Sequence, residues 1–119
     1  MDINWLNAPE KHDYSAAQSY LSLLFAERVV RAYVAKLKRA PLSTFKAKDI
    51  FRASGLSMLG ISNKHVKADQ AKIRSQRQLS PLLLLRDVTH GKLIIADGYH
   101  RLCAVYSYDE DALIPCKIC

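Results

Sequence analysis

Leu93-Ile94-Ile95-Ala96-Asp97-Gly98-Tyr99-His100-Arg101 is the stretch from which the rest of the chain can be read. Its apolar run, two isoleucines included, has the character of a buried strand. Gly98 breaks that strand, and Leu102, Val105 and Tyr106 then share one face of a helix over Tyr99 to Tyr106. The first N–H groups of such a helix have no intrahelical partner and point outward. With the macrodipole they favour phosphate or carboxylate, and a glycine lets the anion approach the backbone. His100 and Arg101 fall in the first turn, where cations oppose the dipole and do nothing for the helix itself. A bound anion would give them a purpose. Arg101 offers a bidentate fork, and His100 a donor or proton shuttle near neutral pH. The plainer alternative is local: Asp97 caps the helix, and Arg101 pairs with an acid such as Asp109 or Glu110.

Upstream, Leu79-Ser80-Pro81 leads into an apolar strand, Leu82 to Arg86. A turn ending in Gly91 returns it as Lys92 to Ala96, a hairpin. Further back, Asn63 caps a helix from Lys64 to Ser75 with Val66 and Ile73 inward. A loop over 55–63 precedes it. Gly55 ends a helix from Lys46 to Ser54 that Ser43 or Thr44 caps. Leu21, Leu24, Phe25, Val29, Ala32, Tyr33 and Leu37 recur at helical spacing, so a long helix is expected from Asp13 or Ser15 to about Arg39, stopped by Pro41. Residues 1–12 read as an irregular arm. Downstream, acidic residues 109–111 form a loop before a closing strand, Ile114 to Ile118. The expected fold is α+β, with helices first and then a small mixed sheet around a short helix.

The chain has 119 residues, half of them apolar, which suits one ordinary domain and argues against disorder. The longest apolar run, Leu82 to Leu85, is strand length, so no membrane association is expected. Met1-Asp2-Ile3-Asn4-Trp5 lacks the basic start of a secretory signal, and three cysteines are an odd number; both point to a reducing, cytoplasmic setting. Cys116 and Cys119 spell C-x-x-C. Three apart on a strand they face opposite sides, with Cα atoms roughly 10 Å apart, too far for a disulfide. No second ligand pair stands at zinc spacing, so neither zinc nor a redox cofactor is expected. The net charge of +7 is concentrated in the middle. Residues 28–52 hold eight Lys or Arg against Asp49, and residues 64–77 hold five against Asp69. Such segments suit a polyanion, or merely solvate two amphipathic helices.

Ser80-Pro81 before the first strand, the hairpin, Ile95-Ala96-Asp97-Gly98-Tyr99-His100-Arg101-Leu102-Cys103-Ala104 and the closing Ile114-Pro115-Cys116-Lys117-Ile118 resemble the ParB/sulfiredoxin superfamily. They also resemble short bacterial proteins of unassigned function that carry Ala-Asp-Gly-Tyr-His-Arg. The resemblance covers about 46–119 as a core, with 1–45 as a preceding arm and long helix in one compact domain. It implies that Gly98 and Arg101 match the family's phosphate-contacting turn and that His100 matches a sulfiredoxin histidine. It places Ser80 where partition-type proteins have glutamine. It also implies that the helix at 64–75 faces a nucleotide, with Lys67 and Lys72 as candidate phosphate contacts beside Lys64. Tyr99 stands where sulfiredoxins have their catalytic cysteine. A phenol cannot replace a thiolate, so sulfinic-acid reduction does not carry over. Cys103, one turn on, reads as core.

Two function classes follow. The first is a module that binds a nucleotide (ATP or CTP) or another phosphate ligand through Gly98, Tyr99, His100, Arg101, Lys67, Lys72 and Ser80. Its basic segments would contact nucleic acid without sequence preference. The second is a small phosphotransferase or nucleotide hydrolase, with Asp97 and His100 catalytic. Here Asp97 is a general base or a Mg²⁺ ligand shared with the phosphates. A homodimer through the outer face of the N-terminal helix is a further expectation.

Overall fold

The computed structural model describes residues 2–57 and 63–119. Helices α1 (Lys11–Leu21) and α2 (Glu27–Arg39) come first, then strand β1 (Ser43–Lys46) and helix α3 (Ala47–Ser54). Helix α4 (Lys64–Arg74), strands β2 (Leu82–Asp87) and β3 (Lys92–Asp97), helix α5 (Tyr99–Tyr108) and strand β4 (Leu113–Ile118) complete the chain. The four strands form one mixed sheet in the order β1-β4-β2-β3. β2 and β3 are the antiparallel hairpin, β4 returns parallel to β2, and β1 closes the far edge antiparallel to β4.

Alternation along β2 sorts its leucines onto the two faces of the sheet. Leu82 and Leu84 join Ile50, Phe51, Val66, Ile73, Leu102 and Val105 beneath α3, α4 and α5. Leu83 and Leu85 join Ala17, Leu21, Val30, Val34 and Leu37 beneath α1 and α2. The first four residues of β2, Leu82 to Leu85, are therefore apolar, as a strand covered on both faces should be, and Arg86 and Asp87 leave the core at its end. Cys116 lies in the first of these clusters and Cys119 packs against the second, on opposite faces of the sheet.

Three expectations are corrected. The single long helix is two, separated at residues 22–26, and the face buried against the sheet carries Ala17, Leu21, Val30, Val34 and Leu37, leaving Leu24 and Ala32 of the expected stripe exposed. Ser43 and Thr44 do not cap a helix: they open β1, with Ser43 opposite Cys116 and Thr44 opposite Pro115. The arm is less irregular than its composition implies, because Leu79 donates to the Asn4 carbonyl and accepts from Leu6 N–H, at 2.9 and 2.8 Å. Residues 58–62 of the expected 55–63 loop lie outside the described residues. Among the described residues no helix is long and apolar enough to cross a membrane.

Candidate functional site

β3 ends at Asp97, and Gly98 turns the chain into α5 with φ +105°. A side chain is strained there, and space forbids one too. A Cβ on Gly98 would lie 2.7 Å from Leu82 Cγ and 2.9 Å from Arg101 Nη2. The close approach that the glycine permits is thus made by the protein's own side chains.

Arg101 folds back over this turn. Its Nη2 donates to Asp97 Oδ2 at 3.0 Å and to the Pro81 carbonyl at 3.3 Å. Its Nη1 stands 3.9 Å from Asp13 Oδ1. Asp13 belongs to α1 on one face of the sheet and Arg101 to α5 on the other, so the group ties both helical layers across the sheet's end. Burial raises the Asp97 pKa above the usual aspartate value; Arg101 opposes the shift, and nearby Asp13 adds to it. Asp97 accordingly does not cap α5, and no side chain does. Neither Asp109 nor Glu110 is the partner of Arg101. Ser80 is buried just ahead of Pro81, whose carbonyl Arg101 holds.

His100 points the other way, toward α4. Its ring centroid is 4.8 Å from that of His65 and 5.8 Å from that of Tyr99. The Tyr99 hydroxyl donates to the Ser57 carbonyl. α4 and α5 run side by side in the same direction: His65 meets His100 at their starts, and further along Gln70 Nε2 donates to Ser107 Oγ at 2.7 Å. Asn63 caps α4, accepting from the His65 and Val66 N–H groups at 2.9 and 3.2 Å. Two positive helix ends thus lie together, one capped and one not.

The electrostatics match this arrangement. Burial lowers the His100 pKa below the usual imidazole value, and His65 and Arg101 lower it further against the opposing pull of Asp69. Asp69 itself is raised by burial, although Lys72, Arg101, His100 and His65 all favour its charged form. Lys72 stands 3.9 Å from Asp69, and Lys67 is exposed on the same helix. Glu10, His12 and Asp13 also bring their ligand atoms within 4.8 Å. There Asp13 Oδ2 already accepts the Glu10 N–H at 2.8 Å, closing the start of α1.

The structure therefore divides the residues singled out from sequence into two groups. Asp97, Gly98 and Arg101 gather at the turn with Asp13, and among the described residues no hydrogen bond ties Ser80 to it. Tyr99, His100 and Lys72 face the α4–α5 side, where His65 and Asp69 join them. The sequence offers Asp13 only as a helix start, and nothing in it ties Asp13 to Arg101, 88 positions away; His65 is exposed at the start of α4. The one available signal for His65 was its place two residues after the cap Asn63, at a helix start. Comparison with protein-family models, with curated proteins and with solved structures finds no match.

Proposed function

We propose that the chain is a nucleotide- or phosphate-binding module of ParB/sulfiredoxin-like build, which seats its anion across the adjoining starts of α4 and α5. One observation carries this: two imidazoles stand 4.8 Å apart where two parallel helices begin. Both helix ends are positive, and burial and then His65 make His100 harder to protonate. A phosphate turns that cost into an attraction, because it accepts from the uncapped amides of α5 and from both rings. Lys72, 3.9 Å from Asp69, shares the His65 face of α4, whereas Lys67, about 200° around the helix from His65, does not. In this reading Arg101 shapes the turn from behind, with Asp97 as its counter-ion. The order of hairpin, glycine turn, helix and closing strand supports the family reading. The exposed Arg28, Arg31, Lys38 and Arg39 of α2 support a separate, salt-dependent contact with nucleic-acid backbone.

Calorimetry with ATP, CTP and pyrophosphate, each with and without Mg²⁺, tests the reading. Saturable binding is expected, tighter at pH 6 than at pH 7.5, and weakened about tenfold by His100→Ala or His65→Ala, the scale of one hydrogen bond to a charged group. No heat from any of the three ligands at either pH contradicts it. The phosphotransferase alternative has less behind it, since the Asp97 carboxylate is already engaged by Arg101.

A further inference from the structure

We propose that a cavity between α3 and the β2–β3 hairpin binds a small amphipathic carboxylate, independently of the anion site at α4 and α5. The cavity holds about 370 Å³, within the range of small-molecule sites. Every strand contributes one apolar wall residue: Phe45 from β1, Leu84 from β2, Leu93 from β3 and Ile118 from β4. Ile50 and Ala53 of α3 form the roof. With eight residues α3 is about 12 Å long. That is too short to cover four strands to their hairpin end, and the uncovered apolar face forms the cavity floor.

The rim supplies the choice of ligand. Arg86, Lys92, Asp49 and Asp87 all border the cavity. The two acids are engaged: Asp87 Oδ2 lies 2.8 Å from His90 Nδ1, and Asp49 lies 3.8 Å from Arg52. Arg86 and Lys92 are exposed, and among the described residues neither forms an ion pair within 4.0 Å. Asp87 faces Lys92 across the hairpin and feels its charge, so what the mouth offers an anion is chiefly the exposed Arg86 guanidinium, above a floor with little to hold water. An aliphatic or aromatic tail fits the walls, and a single carboxylate at its end fits the guanidinium fork of Arg86 with Lys92 beside it.

The probe is decanoate, set against decanol of the same chain length, in ¹H–¹⁵N spectra of the whole chain at pH 7.5. Decanoate below its micelle concentration should shift the amides of Leu84, Leu93 and Ile118 saturably. It should bind about tenfold more tightly than decanol, as expected for a charge-assisted contact. Ala53→Phe, at an exposed helix position, fills the cavity and should abolish the shifts while ATP titration of the α4–α5 site is unchanged. Arg86→Gln/Lys92→Gln should weaken decanoate and leave decanol alone. No saturable shift in the unmodified chain overturns the proposal. Equal affinity for acid and alcohol, or shifts that survive Ala53→Phe, overturns it as well.

Discussion

Replacing Arg101 by methionine separates the two roles this residue has been given. The substitution keeps most of the side-chain length and removes the charge. Arg101, Asp97 and Asp13 are respectively 16%, 16% and 2% exposed, so the group is largely dry. Removing one partner of a buried pair costs about 3–5 kcal/mol, because the remaining charge stays buried. Here the remainder is two carboxylates, and Asp97, its pKa already raised by burial, is raised further by Asp13. Asp97 has a way out, which is to bind a proton. Its folded pKa already exceeds the unfolded one. Its contribution to stability is therefore full below the unfolded value and is lost as pH rises through the folded pKa. Without Arg101 the folded pKa climbs further and that loss extends to higher pH. Urea unfolding followed by circular dichroism should show the variant about 3 kcal/mol less stable than the parent at pH 7. At pH 4 the deficit should shrink to about 1 kcal/mol, the worth of the lost bond to the Pro81 carbonyl. Adding Asp97→Asn should recover part of the pH 7 loss. A deficit under about 1 kcal/mol at pH 7, or one that is the same at both pH values, would refute the buried ion group.

Gly98→Ala places a Cβ at φ +105° and 2.7 Å from Leu82 Cγ. Strain and overpacking together should cost about 2–4 kcal/mol in the same unfolding assay, and a neutral substitution would contradict the packed turn. Asn63→Ala removes the cap of α4 and should cost about 1 kcal/mol, with faster amide exchange at His65 and Val66. Burial pushes the Cys116 thiol up to about 12, so it should resist a thiol reagent at pH 8 until the chain unfolds. Half-buried Cys119 should be modified before it, and the reverse order would place the strand wrongly.

The hairpin, the glycine turn and the closing strand were legible because short-range chemistry decides them. Gly98 has no substitute at its φ, Pro41 stops a helix, and Asn63 caps one. The break between α1 and α2 carries no such mark. Ser22 to Ala26 contain neither glycine nor proline, and Leu21, Leu24, Phe25 and Val29 keep helical spacing across it. The sheet makes the break. A helix of 27 residues would run about 40 Å, whereas the six-residue strands beneath it span about 20 Å. Folding back lets both halves bury an apolar face. β1 was missed for a similar reason. Ser43-Thr44 is a good cap in isolation, and only pairing with β4 makes a strand of it. At the site, the conspicuous residues were found, but their partners were not. Neither the pairing of Asp13 with Arg101 nor that of His65 with His100 has any sequence spacing to betray it. The second comes from two helices that share a face and run the same way, the first from two helices on opposite faces that meet at the sheet's end.

The most direct test of the central claim follows the ring protons of His65 and His100 by NMR as pH is varied, with and without saturating pyrophosphate. In the free chain, His100 should titrate below the usual imidazole value, because burial and His65 hold its proton off. With the anion seated between the two helix starts, His100 should titrate at higher pH than in the free chain, and tighter binding at low pH should match that shift. Unchanged titration of the His100 ring at saturation would mean that the anion is elsewhere and that this pair of helix ends is not its site.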